Sequence, residues 1–412
     1  VLAILKNGQR VENASEGDEI TLILEETCFY GEAGGQVGDT GTIRVAEEDR
    51  KSQVLITDTR KTPSGIILHQ GKVISGEIRS GDIVEAEIDG NRRLAIMRNH
   101  TTTHLLQKAL KMVVGRHITQ QGSSVMPEAF RFDFTNPEPV TREQILEVER
   151  IVQGEILKDI SVVTRELPLE EAMRLGAIAP FGEKYGAVVR VVSVGDFSME
   201  FCGGTHVKSA GQIGGMVIMG ESSIASGIRR IEAKTGMGAF EENQKARSLV
   251  AELCRSFSTT PEEISSRMEK MADEMKDMKK EMQKLRQEKA AGSSGDVLDS
   301  VKEISGIKVL IRQTEGVNAS ELRNVADTLG AKLKDGVVFI GNAEGEKVSL
   351  VCKVVGAALG KVSAVKIVKE AAKIVGGGGG GRDDMAQAGG RFPDKIGEAL
   401  ASAESLIGGQ TL

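Results

Sequence analysis

Three of the chain's five histidines and one of its four cysteines fall in two short runs, His100-Thr101-Thr102-Thr103-His104 and Cys202-Gly203-Gly204-Thr205-His206. In a helix over residues 91–114, His100 and His104 stand one turn apart on one face. The Gly-Gly turn lets the backbone fold tightly enough to aim Cys202 and His206 inward. Three imidazoles and a thiolate form a nitrogen and sulfur donor set that suits a tetrahedral Zn²⁺. The competing reading is a polar helix face and an unrelated reactive turn. A lone His-x3-His would leave both open, and the second pair, with ligand spacing of its own, favours the metal.

The hydroxyls of Thr101, Thr102, Thr103 and Thr205 and the amide of Gln120 surround this set in sequence. Four protein donors describe a closed structural zinc, whereas a catalytic zinc keeps one position open. A structural site needs no polar lining, so the lining favours hydrolytic work on a bound substrate. His100, His104, Cys202 and His206 are the candidate metal ligands.

The length of 412 residues predicts two to three domains. Aromatic residues make up 3% of the chain, with no tryptophan and two tyrosines, so aliphatic and methionine-rich cores are expected. No run reaches the roughly 20 apolar residues of a membrane span. There is no basic-then-apolar leader, and four cysteines are no disulfide framework. A cytoplasmic chain is expected. It opens at Val1 in strand-forming sequence and reads as a piece of something longer. A net charge of −6 excludes a uniformly basic nucleic-acid binder but not a local basic patch. One such patch is residues 351–375, where Lys353, Lys361, Lys366, Lys369 and Lys373 face a single Glu370.

The expected architecture is a multidomain α+β chain. Residues 1–90 carry short strand-like runs between Gly, Asp and Asn turns, the spacing of a small β-barrel, with a glycine-dense loop over residues 28–41. Residues 91–240 are mixed. They hold the histidine helix, a hairpin over 118–135 whose Phe130, Phe132 and Phe134 share one face, and a helix opened by the capping box Thr141–Gln144. Residues 241–292 read as a helical hairpin or coiled coil, with a helix starting at Thr260-Pro261. In it Ile264, Met268, Met271, Met275, Met278, Met282 and Leu285 follow a 4,3 spacing. Such a methionine stripe can be a binding groove, but core packing is the reading preferred here, against Leu249, Leu253 and Phe257 or against another subunit. Residues 290–295 read as a linker, and 296–412 as a small α/β domain. Its glycines 376–381 lack the ending of a phosphate loop and follow a helix. With the lysines before them they are read as a backbone surface that approaches phosphates, the alternative being a plain flexible linker.

These motifs, in their order, resemble the C-terminal half of the bacterial alanyl-tRNA synthetase family. The resemblance rests on Arg98-Asn99-His100 through Leu106, Gln120-Gln121-Gly122-Ser123, Arg131-Phe132-Asp133-Phe134, Cys202 through Val207 and Gly227-Ile228-Arg229-Arg230-Ile231-Glu232. The loop Phe29-Tyr30…Gly34-Gly35-Gln36-Val37-Gly38-Asp39-Thr40-Gly41 and the tail Gly381-Arg382…Asp384 through Gly390 match as well. The sequence departs at Asp383, where the family motif has proline. The resemblance implies an editing domain and a C-terminal domain without the aminoacylation domain. Its implied reaction is hydrolysis of the ester joining serine or glycine to the 3′ end of alanine tRNA. Zinc would be held by the four ligands, with Thr103 and Gln120 lining the amino-acid pocket, and the resemblance implies Thr103, Gln120 and Cys202 as the catalytic residues. Implied partners are mischarged alanine tRNA and a second subunit bound through the C-terminal region. Expected tRNA contacts are Lys361, Lys366, Lys369, Lys373, Gly378, Gly381, Arg382, Gly389 and Gly390, with Arg229 and Arg230 next. Two other readings remain, a free-standing trans-editing deacylase and a non-catalytic tRNA-binding or oligomerisation module with a structural zinc.

Overall fold

The computed structural model describes residues 1–47, 51–179, 185–291 and 300–410. They form two compact units, Val1–Glu252 and Leu253–Leu412.

The first unit begins with a seven-stranded antiparallel sheet in the order Gln9–Val11, Ala3–Lys6, Glu19–Ile23, Ile67–Ser75, Gln53–Lys61, Gly41–Val45, Val84–Ile88. Alternation along the start of Gln53–Lys61 buries Val54 and Ile56 with Ile4, Leu22, Ile43 and Val73, and an irregularity after Ile56 shifts the period so that Thr59 is buried next. The expected barrel is corrected here, because among the described residues the sheet is open. Its edge strand Gln9–Val11 carries only three register pairs. The chain then leaves it to pair Asn13–Ser15 with Glu77–Arg79 in a separate ribbon, so the two edge strands, Gln9–Val11 and Val84–Ile88, are not paired with each other.

Helix α1 (Gly90–Val113) starts where the Asp89 side chain accepts a hydrogen bond from Arg92 N at 2.9 Å. It lies on a four-stranded antiparallel sheet ordered Gln120–Val125, Phe130–Thr135, Ile228–Thr235, Met216–Ala225. The alternating Phe130, Phe132 and Phe134 are fully buried with Leu105, Leu106 and Leu110 of α1 and Val148 and Val152 of α2 (Arg142–Leu157). The capping box of Thr141 and Gln144 is formed. A second, three-stranded antiparallel sheet, Val162–Pro168, Val188–Val194 and Ser198–Phe201, leads into the Cys202 turn. Helix α3 (Leu169–Arg174) follows its first strand, and α4 is Gly236–Ser256.

The second unit contains α5 (Ile264–Ala291). The helix begins at Ile264 rather than Pro261, since residues 261–263 form a turn. The expected packing of the methionine stripe is also corrected. Met268, Met271, Met275, Met278, Met282 and Leu285 are 37–63% exposed, so they are not the inside of a hairpin. The spacing determines which side chains share a face, not whether anything covers it. Of the expected linker 290–295, Ala290 and Ala291 belong to α5 and the rest lies outside the described residues.

Beyond it a six-stranded sheet runs in the order Val301–Ile304, Ile307–Thr314, Gly336–Glu344, Lys347–Val355, Met385–Gly390, Gly378–Gly381. Its one parallel pair, Ile307–Thr314 with Gly336–Glu344, is joined by the crossover helix α6 (Ala319–Leu333). Alternating residues fill both faces. Leu310, Val338 and Ile340 pack with α6, and Val309, Val337 and Phe339 with α7 (Ala364–Ile374) and α8 (Ile396–Gly408). The glycine run is an edge strand and not a linker. A Cβ on Gly379 would fall 2.3 Å from Gln387 O, so only glycine lets the edge lie this close to its neighbour.

Candidate metal centre and its cavity

Helix α1 sets His100 and His104 with their rings stacked, centroids 5.6 Å apart. The turn after Ser198–Phe201 brings Cys202 and His206 onto them, and the four ligand atoms lie within 4.8 Å of one another. Cys202 Sγ stands 3.3 Å from both His100 Nε2 and His206 Nε2. Three further features hold the turn. Arg190 Nη1 donates to both Cys202 O and Gly204 O at 2.7 Å, and Cys202 N donates to Arg190 O at 3.0 Å. A Cβ on Gly204 would sit 2.0 Å from His100 Cε1, so the turn can reach the helix only with glycine there.

The outer nitrogen of each imidazole is tied to an acceptor. His100 Nδ1 donates to Gln36 Oε1 at 2.6 Å, His104 Nδ1 to Glu200 Oε2 at 2.6 Å, and His206 Nδ1 to Thr101 Oγ1 at 3.2 Å. Thr101 is an acceptor there because its hydroxyl already donates to Met97 O. With each Nδ1 protonated, all three Nε2 lone pairs point into the cluster, the arrangement that metal-binding histidines use. His104 Nε2 is buried without a hydrogen-bond partner. An orphaned, inward-facing nitrogen beside a thiol and two further Nε2 atoms fits a tetrahedral metal ion. The cluster's own electrostatics favour a Cys202 thiolate. Burial by itself would raise the Cys202 thiol, but His100 and His104 hold it well below its ordinary value. Burial pushes His206 down to about 3, with His100 beside it adding to the shift. For His104 the depressing effect of burial is outweighed by Glu200 and Cys202, and its pKa rises to about 10.

Gln36 comes from the glycine-dense loop of the N-terminal sheet and is fully buried. Its Oε1 also accepts from Thr205 N at 2.8 Å, and its Nε2 donates to Thr205 Oγ1 at 2.9 Å. One amide therefore clamps the helix histidine and the cysteine turn together. The loop is itself fastened, by exchange between Val37, Val125 and Gly35 backbones and by Arg93 of α1, whose Nε lies 2.8 Å from the buried Asp39 carboxylate.

His100, Thr103, His104, Gln120 and Cys202 all line one cavity of about 530 Å³. This is within the usual range of ligand sites, about 300–1,000 Å³. The Thr103 hydroxyl donates to His100 O at 2.7 Å, which leaves its oxygen free to accept. Thr102 turns away and bonds Arg98 O.

Comparison with known proteins follows the same lines. A family profile described as tRNA synthetases class II (A) matches residues 1–92. The Threonyl and Alanyl tRNA synthetase second additional domain matches 189–232, and the DHHA1 domain matches 306–409. Alanine–tRNA ligase of Acetivibrio thermocellus is 46% identical over 411 residues, covering 100% of this chain and 46% of the relative. That of Bacillus subtilis is 41% identical over 408 residues, 99% of this chain and 46% of the relative. The chain belongs with the C-terminal portion of the alanine–tRNA ligases. It spans about half the length of these relatives. Among solved structures, the C-Ala domain of Aquifex aeolicus alanyl-tRNA synthetase matches with 36% identity and a TM-score of 0.25, covering 26% of this chain and 97% of that one.

Relative to these ligases, Cys202 and His206 fall inside the second matched segment, whereas His100 and His104 lie between the first and the second. Gln36, Glu200 and Arg190 are functional positions that spacing alone does not reveal. The only local signals were the Gly34-Gly35-Gln36 loop and a glutamate two residues before the cysteine. The expected tRNA contacts divide. Lys361, Lys366 and Lys369 are exposed beside or on α7, while Lys373 pairs with Glu370 at 2.7 Å. Gly378 and Gly381 lie on the edge strand, Gly389 and Gly390 on its neighbour, and Arg382 pairs with Asp384 at 2.9 Å. Arg229 and Arg230 are bound in the four-stranded sheet, the first to Glu221 and the second to both oxygens of Asp133 at 2.7 and 2.8 Å. Among the described residues no helix is long and apolar enough to cross a membrane.

Proposed function

We propose that the first unit is an editing deacylase that hydrolyses the ester between serine or glycine and the 3′ end of alanine tRNA. The observation that carries this reading is the buried His100, His104, Cys202 and His206 cluster opening onto a cavity with Thr103 and Gln120 in its wall. A Zn²⁺ held by these four residues would supply a positive charge that polarises a carbonyl or acidifies a water. The chain's own residues do the rest. Gln36, Glu200 and Thr101 keep each Nδ1 protonated and each Nε2 facing inward. Arg190 fixes the turn that presents Cys202. Thr103 and Gln120 offer hydrogen bonds that a serine side chain can complete and alanine would leave unpaired, which is how a second pocket spares the correct product.

The test is deacylation by the purified chain of tRNA carrying serine, glycine or alanine. Serine and glycine should be released and alanine retained. Zinc bound at about one ion per chain without any release would instead favour a structural metal, a reading supported by the four protein donors.

For the second unit we propose contact with the tRNA backbone through Lys361, Lys366, Lys369 and the glycine edge. Lys373 and Arg382 of this unit, and Arg229 and Arg230 of the first, stand second because each is already paired with a carboxylate. Replacing the three lysines by alanine should lower the slope of log affinity against log salt by about 2–3, as each phosphate contact contributes roughly 0.7–0.9. An unchanged slope would move the interface elsewhere. We further propose that residues 1–90, 91–240, 241–292 and 296–412 divide these tasks in a cytoplasmic protein, and that the exposed stripe of α5 pairs with a second copy of the chain.

A further inference from the structure

The chain has no tryptophan and only two tyrosines. Both, Tyr30 and Tyr185, line the cavity above the His/Cys cluster, together with Phe29 and Phe201. Phe29 and Phe201 belong to the cores on either side of the cavity and Tyr185 packs on the second of them, so the aromatic surface is continuous with a rigid backing. The two phenylalanines are 4% and 5% exposed and form the backing, while both tyrosines are half-buried and keep part of their surface open. Each is held. The Tyr30 hydroxyl donates to Ala33 O at 3.0 Å, and the Tyr185 ring meets Phe201 edge to face with centroids 5.0 Å apart. Ile67 and Val188 extend the apolar lining, and the exposed Lys61 belongs to it as well.

The lining thus has two chemical parts. One is polar and carries the cluster, Thr103 and Gln120. The other is aromatic and aliphatic with one cation. An ester on the 3′-terminal ribose of a nucleic acid brings its base along, one glycosidic bond from the atoms being cut, so a cavity that receives the ester must also receive that base. We infer that Tyr30 and Tyr185 form a stacking platform for an unpaired 3′-terminal purine, with Lys61 meeting the phosphate on its 5′ side. This rests on the deacylase reading above and names the part of the substrate that the aromatic wall recognises. Stacking uses the π-face of the base, so the site holds the terminal nucleotide by its plane and leaves identity to contacts elsewhere.

Because the tyrosines occur nowhere else, tyrosine emission of the whole chain reports this cavity alone. The experiment titrates the zinc-loaded chain with a short single-stranded RNA ending in cytidine-cytidine-adenosine, and with the same RNA whose last nucleotide is abasic. Saturable quenching is expected with the first and not with the second. Replacing either tyrosine by leucine should weaken binding of the intact RNA about 5- to 100-fold, while Tyr30→Phe and Tyr185→Phe bind as the parent does. Equal responses to both RNAs, or leucine variants that bind normally while keeping their zinc, overturn the inference. The two proposals fail separately. Base-dependent quenching without release of serine removes the deacylase reading, and release of serine with no effect of the terminal base removes the platform.

Discussion

Helices α1 and α5 invert the usual relation between polarity and burial. Over Asn99–His104, α1 carries six consecutive polar residues, and every one of them is buried. Helix α5 carries an apolar stripe in regular 4,3 spacing, and that stripe is exposed. The difference lies in partners. Each side chain of the run Asn99–His104 finds a specific acceptor, donor or cluster member, which is the condition for burying it at tolerable cost. The stripe of α5, from Met268 to Leu285, stays 37–63% exposed, because periodic spacing by itself does not supply a covering surface. Burial therefore follows from what stands opposite a residue rather than from its polarity.

Changes at the buried polar helix should be costly and changes at the exposed apolar one nearly silent. The largest effect is expected for Cys202→Ala, which removes the thiolate that the three imidazoles surround. Metal content measured by elemental analysis should fall, and deacylation of Ser-tRNA should be lost, while the second unit keeps its own melting transition. Full metal retention would show that the cluster is not the binding site.

Next come the two positioning side chains. Gln36→Ala and Glu200→Gln should each reduce zinc affinity about 10- to 100-fold, the usual cost of losing a partner behind a histidine ligand. Competition with a chromophoric chelator reads this directly, without any assay of activity. If both variants hold zinc as tightly as the parent, the imidazoles are oriented by packing alone and the contrast between the helices loses its basis.

A smaller, purely structural effect is expected at Thr101, whose hydroxyl accepts from His206 Nδ1 and Val207 N. Thr101→Val keeps the shape and strands those two donors, each at about 1–3 kcal/mol. Chemical denaturation of the metal-free chain should show a lower midpoint for the first unit. The smallest effect on folding belongs to Met275→Lys combined with Met278→Lys, since exposed substitutions usually stay within about 0.5 kcal/mol. Melting at low protein concentration should not change. Sedimentation at high concentration should show weaker self-association if the stripe meets a second copy, and a melt that drops at every concentration would mean that the stripe is covered after all.

Much of the site could be read along the chain because it is local. One helical turn separates His100 from His104, His206 stands four positions after Cys202, and the Thr141 capping box closes within one turn, so backbone geometry alone relates these positions. The alternating phenylalanines likewise declared their shared face. What the tertiary structure decided involves pairs that no local period connects. Gln36 meets His100 across 64 residues and Glu200 meets His104 across 96. The same holds for the open edge of the first sheet, which depends on where Asn13–Ser15 finds its partner, and for the glycine run, which became a strand because Met385–Gly390 lies beside it. A helical or strand period reports which side chains point the same way. Only the fold determines what they meet: it buried a polar run of α1 beside its leucines and left the apolar stripe of α5 exposed.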